Sequence, residues 1–239
     1  MKPVIIAGPC VIESQDCLNE VAEELVRLNK KYGLDIIFKS SFDKANRTSI
    51  NSYRGPGLEK GLTMLNDIRE KYGLKLLTDI HESYQAAPAG EVVDILQIPA
   101  FLCRQTDLLV AAAQTGKVVN IKKAQFLSGM DMEYPVQKVR ESGNDKVWLT
   151  ERGNMYGYNN LVVDFRNIAD MNKCRLCQQA AEFLVAPVCR RTVVRHIGGL
   201  SDLGDHTKIR CVFVACWETV DIHYHCGQIC GCHTSESGD

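Results

Sequence analysis

Along the first 172 residues, short continuous apolar runs alternate with stretches whose apolar residues recur at helical spacing. Continuous runs are typical of parallel strands covered on both faces, and three-and-four spacing indicates helices. The runs begin near Val4, Ile36, Lys75, Val92, Val118 and Val147, and the helical stretches cover about 16–32, 57–72, 106–116 and 132–142. Strand then helix, repeated six times, predicts a parallel sheet.

The first helical stretch carries a clear apolar stripe. Its members are Leu18, Val21, Ala22, Leu25 and Leu28, and a stripe of this width packs against a core. Asp16 is a plausible N-cap. Gly33 stands where a C-terminal glycine ends a helix, and Gly73 repeats that signal.

The fold class that follows is α/β, and we predict a (β/α)₈ barrel. Six units precede residue 172, so completion requires two more from the tail, and the barrel is otherwise incomplete at the C-terminus. In the tail, 211–216 reads as a strand and 178–184 as a helical turn or two. An open doubly wound sheet is the competing architecture, but no Gly-x-Gly-x-x-Gly follows the first strand.

The composition narrows the class of protein. A chain of 239 residues with net charge −1 lacks the basic field of a general nucleic-acid binder. No apolar run approaches the roughly 20 residues of a membrane span. The chain begins directly with a strand pattern rather than a signal peptide, so we expect a cytoplasmic protein with neither nucleic acid nor membrane as a partner.

Cations follow three of the predicted strands. Phe38 is followed by Lys39, and Lys44 and Arg47 come shortly after; Lys122 and Lys123 end the fifth strand, and Arg152 follows the sixth. The carboxyl ends of the strands of a barrel share one rim. We therefore predict one pocket for substrates that carry several negative charges; ordinary surface cations in loops are the alternative.

Several motifs carry a resemblance to a known family. They are Ile6–Ser14 (IAGPCVIES), Phe38–Arg47 (FKSSFDKANR), Arg54–Gly57 (RGPG), Leu77–Glu82 (LTDIHE), Leu96–Asp107 (LQIPAFLCRQTD), Asn120–Lys123 (NIKK), Glu151–Gly153 (ERG) and Gly157–Asp164 (GYNNLVVD). Over about 170 residues the chain resembles the 3-deoxy-D-manno-octulosonate 8-phosphate (KDO8P) synthases. The related enzymes that make a seven-carbon sugar acid share the barrel, but KANR followed by RGPG is typical of the arabinose phosphate version.

The resemblance implies a homotetrameric transferase of lipopolysaccharide biosynthesis that condenses phosphoenolpyruvate with arabinose 5-phosphate. It implies that Lys39, Lys122 and Arg152 hold phosphoenolpyruvate, with Lys39, Lys122 and Asp79 as the catalytic residues. The residues that would line that pocket are Gln97, Pro99, Ala100 and Arg104, and those that would hold the sugar phosphate are Lys44, Asn46, Arg47 and Thr48. His81 either assists the sugar end or satisfies a loop hydrogen bond.

Cys10 ends the first strand. A lone cysteine in an apolar strand is usually an inert core residue. In the family that this chain resembles, however, cysteine at this position marks the metal-dependent members. Cys10 therefore implies a divalent metal, Zn, Fe or Mn, with a thiolate ligand.

The tail differs from the rest of the chain. Of 11 cysteines, all but Cys10, Cys17 and Cys103 lie in 173–239, with five of the 6 histidines, and the family's later metal-ligand motifs do not occur there. We divide the chain into residues 1–172, which form barrel units one to six, and a tail of residues 173–239. The tail is either the product of a disturbed reading frame, a zinc-binding appendage or a divergent completion of the barrel. The alternatives to an active enzyme are a phosphosugar-binding pseudoenzyme and a zinc-binding interaction tail on a barrel remnant.

Overall fold

The computed structural model describes residues 4–157, 161–173, 182–187 and 211–217. The strands are β1 Val4–Pro9, β2 Asp35–Lys39, β3 Lys75–Asp79, β4 Ile95–Ile98, β5 Val118–Lys122, β6 Val147–Thr150, β7 Asn154–Met155, β8 Leu161–Val162, β9 Glu182–Pro187 and β10 Cys211–Trp217. The α-helices are α1 Gln15–Tyr32, α2 Leu58–Tyr72, α3 Ala86–Val92, α4 Thr106–Gln114, α5 Glu133–Glu141 and α6 Arg166–Lys173. Short 3₁₀ turns lie at Ser83–Gln85, Ala100–Leu102 and Met130–Met132.

Eight strands form one parallel sheet in the order β6-β5-β4-β3-β2-β1-β10-β9. The six predicted units supply β1 to β6 in chain order, each joined to the next by a helical crossover. Strand β9 also contacts β6, so the sheet curls round as in a (β/α) barrel. The predicted α/β barrel class is confirmed.

The tail supplies two strands of this sheet. Strand β10 pairs with β1, with Val214 opposite Ile6, and β9 pairs with β10. The strand predicted at 211–216 is confirmed. The helical turn predicted at 178–184 is wrong at Glu182–Leu184, which lies in β9; the remainder of that segment, like most of the predicted Cys/His-rich tail, lies outside the described residues.

The predicted helix signals are mostly confirmed. All five residues of the α1 stripe are buried, and Gly33 and Gly73 end α1 and α2 in the left-handed conformation, with φ of 63° and 65°. The predicted N-cap was wrong, however. Ser14 caps α1, because its hydroxyl accepts the Cys17 N–H and Asp16 already lies in the first turn.

Two layers of apolar side chains stabilise the fold. The larger one fills the space between the sheet and its helices and includes Leu25, Leu65 and Leu109. The smaller one comprises Ile6, Ile37, Leu77 and Ile95, with Val118 and Trp148 packed against it. These residues come from six neighbouring strands and form a floor on the inner face of the curved sheet, in which Trp148 has a packing role.

No helix among the described residues is long and apolar enough to cross a membrane.

Candidate active site

Polar side chains replace apolar ones along the inner face of the sheet as the strands approach their carboxyl ends. Ile37, Leu77 and Ile95 belong to the apolar floor. Since side chains two residues apart lie on the same face of a strand, the next inward positions are Lys39, Asp79 and Gln97. All three are buried. The apolar floor therefore carries a polar layer directly above it.

The centre of this layer is the pair Lys39 and Asp79. Lys39 Nζ lies 3.6 Å from Asp79 Oδ1, and the two side chains are 2% and 7% exposed. Burial alone would raise the pKa of Asp79. Lys39, Lys122, Lys44 and His81 oppose it, and the net effect lowers the pKa far below its ordinary range. Asp79 is therefore an ionised carboxylate among three ammonium groups.

Ser41 joins two of these lysines. Its hydroxyl oxygen accepts hydrogen bonds from Lys39 Nζ at 3.1 Å and from Lys44 Nζ at 3.0 Å. Ser41 is itself fully buried. Its backbone is bonded to the segment that follows β1, because the Ile12 N–H donates a hydrogen bond to the Ser41 carbonyl oxygen. The sequence-predicted lysines at positions 39 and 44 thus converge on one hydroxyl.

A chain of side-chain hydrogen bonds continues from Asp79 across three more strands. Gln97 Nε2 donates to Asp79 Oδ1 at 2.7 Å, and Asn120 Nδ2 donates to Gln97 Oε1 at 3.1 Å. Thr150 Oγ1 completes it by donating to Asn120 Oδ1 at 2.8 Å. Gln97, Asn120 and Thr150 are wholly buried. The predicted pocket residue Gln97 is therefore held from both sides.

The two consecutive lysines of β5 have different environments. Lys122 is partly exposed and lies close enough to Asp79 to lower its pKa. Lys123 is wholly buried, and its ammonium donates to the carbonyl oxygens of Ala124, Leu127 and Gly153. Successive strand residues point to opposite faces. The Lys122 side chain therefore lies on the same side as Asp79, and the Lys123 side chain lies among the surrounding loops.

Glu151 connects the buried Lys123 to the backbone around Arg152. Its Oε1 lies 3.4 Å from Lys123 Nζ and accepts the N–H groups of Arg152 and Gly153 at 2.9 and 2.5 Å. Burial lowers the pKa of both Lys123 and Arg152. This contact holds the backbone of the predicted substrate residue Arg152 in place.

Two buried nitrogens at the strand ends lack a hydrogen-bond partner within the described part of the chain. They are Nη1 of Arg152 and Nδ1 of His81. The His81 ring packs edge-on against Phe42, and burial lowers its pKa, although Asp79 and Asp43 act in the opposite direction. A donor buried without an acceptor is costly, and an anionic ligand would satisfy the Arg152 nitrogen.

The predicted sugar-phosphate residues lie mainly on an exposed loop between β2 and α2. Asn46, Arg47 and Thr48 are exposed, and Arg47 Nε donates to the Tyr53 carbonyl at 3.3 Å. The Arg54 guanidinium donates two hydrogen bonds to the Asp43 carboxylate, from Nε at 2.8 Å and from Nη2 at 2.5 Å. This pair closes the base of the loop, where Lys44 N–H also donates to the Arg54 carbonyl at 2.7 Å. Of the predicted group, Lys44 alone is brought to the Asp79 cluster.

The predicted pocket residues after β4 are divided between buried and exposed positions. Ala100 is buried and Pro99 partly so, at the start of a 3₁₀ turn, whereas Arg104 is exposed. The backbone carbonyl of Arg104 accepts a hydrogen bond from Lys138.

Cys10 directly follows β1 and is partly exposed. It lies at the carboxyl end of β1, the same rim of the sheet as the ends of β2 and β3. Among the described residues, no three Cys, His, Asp or Glu side chains form a group that could hold a metal ion. One thiolate does not complete a metal site within the described residues.

Sequence reasoning missed Ser41, Asn120 and Thr150 as members of the polar layer. A usable signal was present, since Asn120 lies two residues before Lys122 and Thr150 lies two before Arg152. That spacing puts each of them on the same face as a predicted substrate residue.

Comparison with known proteins identifies a family that this chain matches. The model of the DAHP synthetase I family matches residues 1–179. The chain belongs to the DAHP synthetase I family. Within this family it is 57% identical over 170 residues to the 2-dehydro-3-deoxyphosphooctonate aldolase of Fusobacterium nucleatum, a match covering 71% of this chain and 61% of that protein.

Two further relatives carry the same name. Identity is 58% over 168 residues to the protein of Trichlorobacter lovleyi, covering 70% of this chain and 62% of the relative. It is 55% over 185 residues to that of Helicobacter pylori, covering 72% and 67%. The chain therefore spans about three fifths to two thirds of the length of these family members.

Proposed function

We propose that this protein condenses phosphoenolpyruvate with arabinose 5-phosphate to give 3-deoxy-D-manno-octulosonate 8-phosphate and inorganic phosphate. In this reaction C3 of the enol forms a bond to the aldehyde carbon of the sugar. Water adds at C2, and the phosphate leaves. Negative charge develops at the aldehyde oxygen while the existing phosphate and carboxylate charges stay in the site, so fixed cations stabilise both the substrates and the transition state.

The observation that carries the proposal is the cluster of Lys39, Lys44 and Lys122 around the ionised Asp79. Within the described residues, three ammonium groups lie around this one carboxylate, so positive groups outnumber negative ones in the cluster. It lies at the carboxyl ends of parallel strands, the rim where barrel enzymes bind their substrates. Such a pocket suits a ligand with a phosphate and a carboxylate.

The proposed roles follow the charges. Lys39, Lys122 and Arg152 bind phosphoenolpyruvate, and the unpartnered Arg152 nitrogen is available to one of its oxygens. Gln97, Pro99, Ala100 and Arg104 line that side of the pocket. The sugar phosphate binds to Lys44, Asn46, Arg47 and Thr48, and Asp79 holds Lys39 in position.

A divalent metal bound through Cys10, either Zn, Fe or Mn, is a further part of the proposal. Its support is the family resemblance and the partial exposure of Cys10 at the same rim. Metal analysis of the purified protein and of Cys10→Ser tests it: loss of bound metal in the variant supports a thiolate ligand, and equal metal content contradicts it. We also propose a cytoplasmic homotetramer acting in lipopolysaccharide biosynthesis, which sedimentation and cell fractionation would test.

The main test is phosphate release that requires both substrates, measured with and without added metal. We compare Lys122→Gln with Lys60→Gln, because Lys60 is an exposed lysine on α2. Loss of one preorganised cation lowers the rate roughly 100-fold, and Lys60→Gln leaves it unchanged. Equal rates in the two variants would contradict the proposed site.

The tail favours one second candidate. Because the family match ends at residue 179, a protein that binds phosphoenolpyruvate without turnover is the alternative. Calorimetric binding that Lys122→Gln abolishes, with no phosphate release by the wild type, would support this pseudoenzyme instead.

A further inference from the structure

The hydrogen-bond chain from Thr150 to Asp79 has a single consistent direction. An ionised carboxylate only accepts hydrogen bonds, so Gln97 must present its NH₂ group to Asp79. The Gln97 carbonyl oxygen then faces β5, where Asn120 must present its own NH₂ group. The Asn120 oxygen faces β6 and accepts the hydroxyl proton of Thr150.

Each link therefore fixes the orientation of the next one. An amide side chain can turn over and exchange its oxygen and nitrogen, and a turned Gln97 would aim an oxygen at the Asp79 carboxylate. The negative charge of Asp79 disfavours the turned arrangement, and at the far end of the chain the Thr150 hydroxyl stabilises the observed one by donating to the Asn120 oxygen. All the participating side chains are buried, so water does not replace a lost partner.

We propose that Asn120 and Thr150 are positioning residues for the reaction, which hold the Gln97 amide so that it donates a hydrogen bond to Asp79. Neither residue needs to touch the substrate. Through Gln97 and Asp79, the chain reaches Lys39, 3.6 Å beyond the carboxylate. The inference rests on the proposed function, since in that proposal Lys39 binds phosphoenolpyruvate and Asp79 holds Lys39 in position.

The first test uses Thr150→Val, which keeps the shape of the side chain and removes the donor. We expect kcat to fall about tenfold, the equivalent of one lost buried hydrogen bond, with a smaller change in KM. Thr150→Ser keeps the hydroxyl and should restore kcat.

Thr78→Val is the matched control. Thr78 is an equally buried strand threonine whose hydroxyl donates to the Ser40 carbonyl at 2.8 Å, but it shares the outer face with Leu76, which packs in the larger core. Its variant should lose comparable unfolding stability and change kcat much less than Thr150→Val does. Equal effects of Thr78→Val and Thr150→Val on kcat would contradict a positioning role.

A second measurement does not require turnover. In protein labelled with ¹³C at aspartate carboxyls, the Asp79 resonance is assigned at neutral pH by its absence in Asp79→Asn. Its chemical shift reports the hydrogen bond from Gln97, so it should move in both Thr150→Val and the isosteric Asn120→Leu and keep its wild-type position in Thr78→Val. If either folded variant keeps the wild-type chemical shift, the inference is wrong; if the resonance moves but the wild type releases no phosphate, only the proposed reaction fails.

Discussion

Lys39 and Asp79 form a buried ion pair between neighbouring strands, with Nζ 3.6 Å from Oδ1. The pair lies directly above the apolar floor of the barrel, and Lys44 and Lys122 act on the same carboxylate. The pair is therefore structural, since Asp79 keeps Lys39 fixed, and it lies at the rim where we propose that an anionic ligand binds.

Asp79→Asn should destabilise the protein as well as abolish the proposed activity. The substitution leaves the Lys39 ammonium buried without its counter-charge, which costs about 3 to 5 kcal/mol of unfolding free energy. Urea denaturation measures this. The control is Asp145→Asn, whose carboxylate pairs with Arg140 but is 60% exposed; its change should stay below about 1 kcal/mol. Similar losses in the two variants would show that burial of the Lys39–Asp79 pair carries no stability.

The stability contributed by Asp79 should depend on pH in one direction. Its pKa in the folded protein lies below the unfolded value of about 4. Between those two values the unfolded chain therefore binds more protons than the folded one, and acid favours unfolding. The advantage of the wild type over Asp79→Asn should be complete above about pH 5 and shrink as the pH falls below about 4. Urea denaturation at several pH values checks this, and a constant difference would contradict the ionised state of Asp79.

Lys123→Met should destabilise the fold although the side chain does not face the site. Its ammonium satisfies three backbone carbonyls, the Asn154 side chain and Glu151. Removing it leaves Glu151 as an unpaired buried charge, for a loss of about 3 to 5 kcal/mol. Lys75→Met removes a lysine that is 60% exposed and paired with Asp35, and should cost less than about 1 kcal/mol. Thermal or urea unfolding of both variants distinguishes a buried structural lysine from a surface one.

Gly8→Ala should disturb the site by displacing β1 from β2. A Cβ at this position would lie 2.0 Å from the Lys39 carbonyl oxygen, which only a backbone shift relieves. We expect a loss of about 1 to 3 kcal/mol and weaker phosphoenolpyruvate binding, measured by calorimetry. The control is Gly90→Ala. A Cβ at this position would lie 3.1 Å from its nearest heavy atom, a side-chain carbon of Thr115, and the gain in helix propensity offsets the crowding. If the two variants are equally stable, the close approach of β1 and β2 is not required.

The elements that the sequence predicted well are those whose signal is local. Six strands and the helices α1, α2, α4 and α5 follow from the spacing of apolar residues, and Gly33 and Gly73 end helices because they adopt a left-handed conformation at no steric cost. Helix α3 was missed, since it is short and contains Pro88 and Gly90. The fourth strand begins at Ile95 rather than near Val92, which ends that helix.

The candidate site was predicted in part for the same reason. Cations after strands 2, 5 and 6 are visible in the sequence, and the parallel topology brings their strand ends to one rim. The polar layer was overlooked, because Asn120 and Thr150 are single polar residues inside runs that read as apolar on both faces. Their spacing from Lys122 and Arg152 is a signal for the face that they share, but it does not give their hydrogen-bond partners, which are 23 and 30 residues away.

By itself the sequence determined where strands and helices form and which ends carry charge, since those properties depend on residues a few positions apart. Only the tertiary structure decided that Lys122 faces Asp79 while Lys123 is buried among loop carbonyls, and that one hydrogen-bond chain crosses from β3 to β6. The physical reason is the curvature of the sheet, which brings side chains from successive strands within hydrogen-bond distance on its inner face and excludes the water that would otherwise satisfy them.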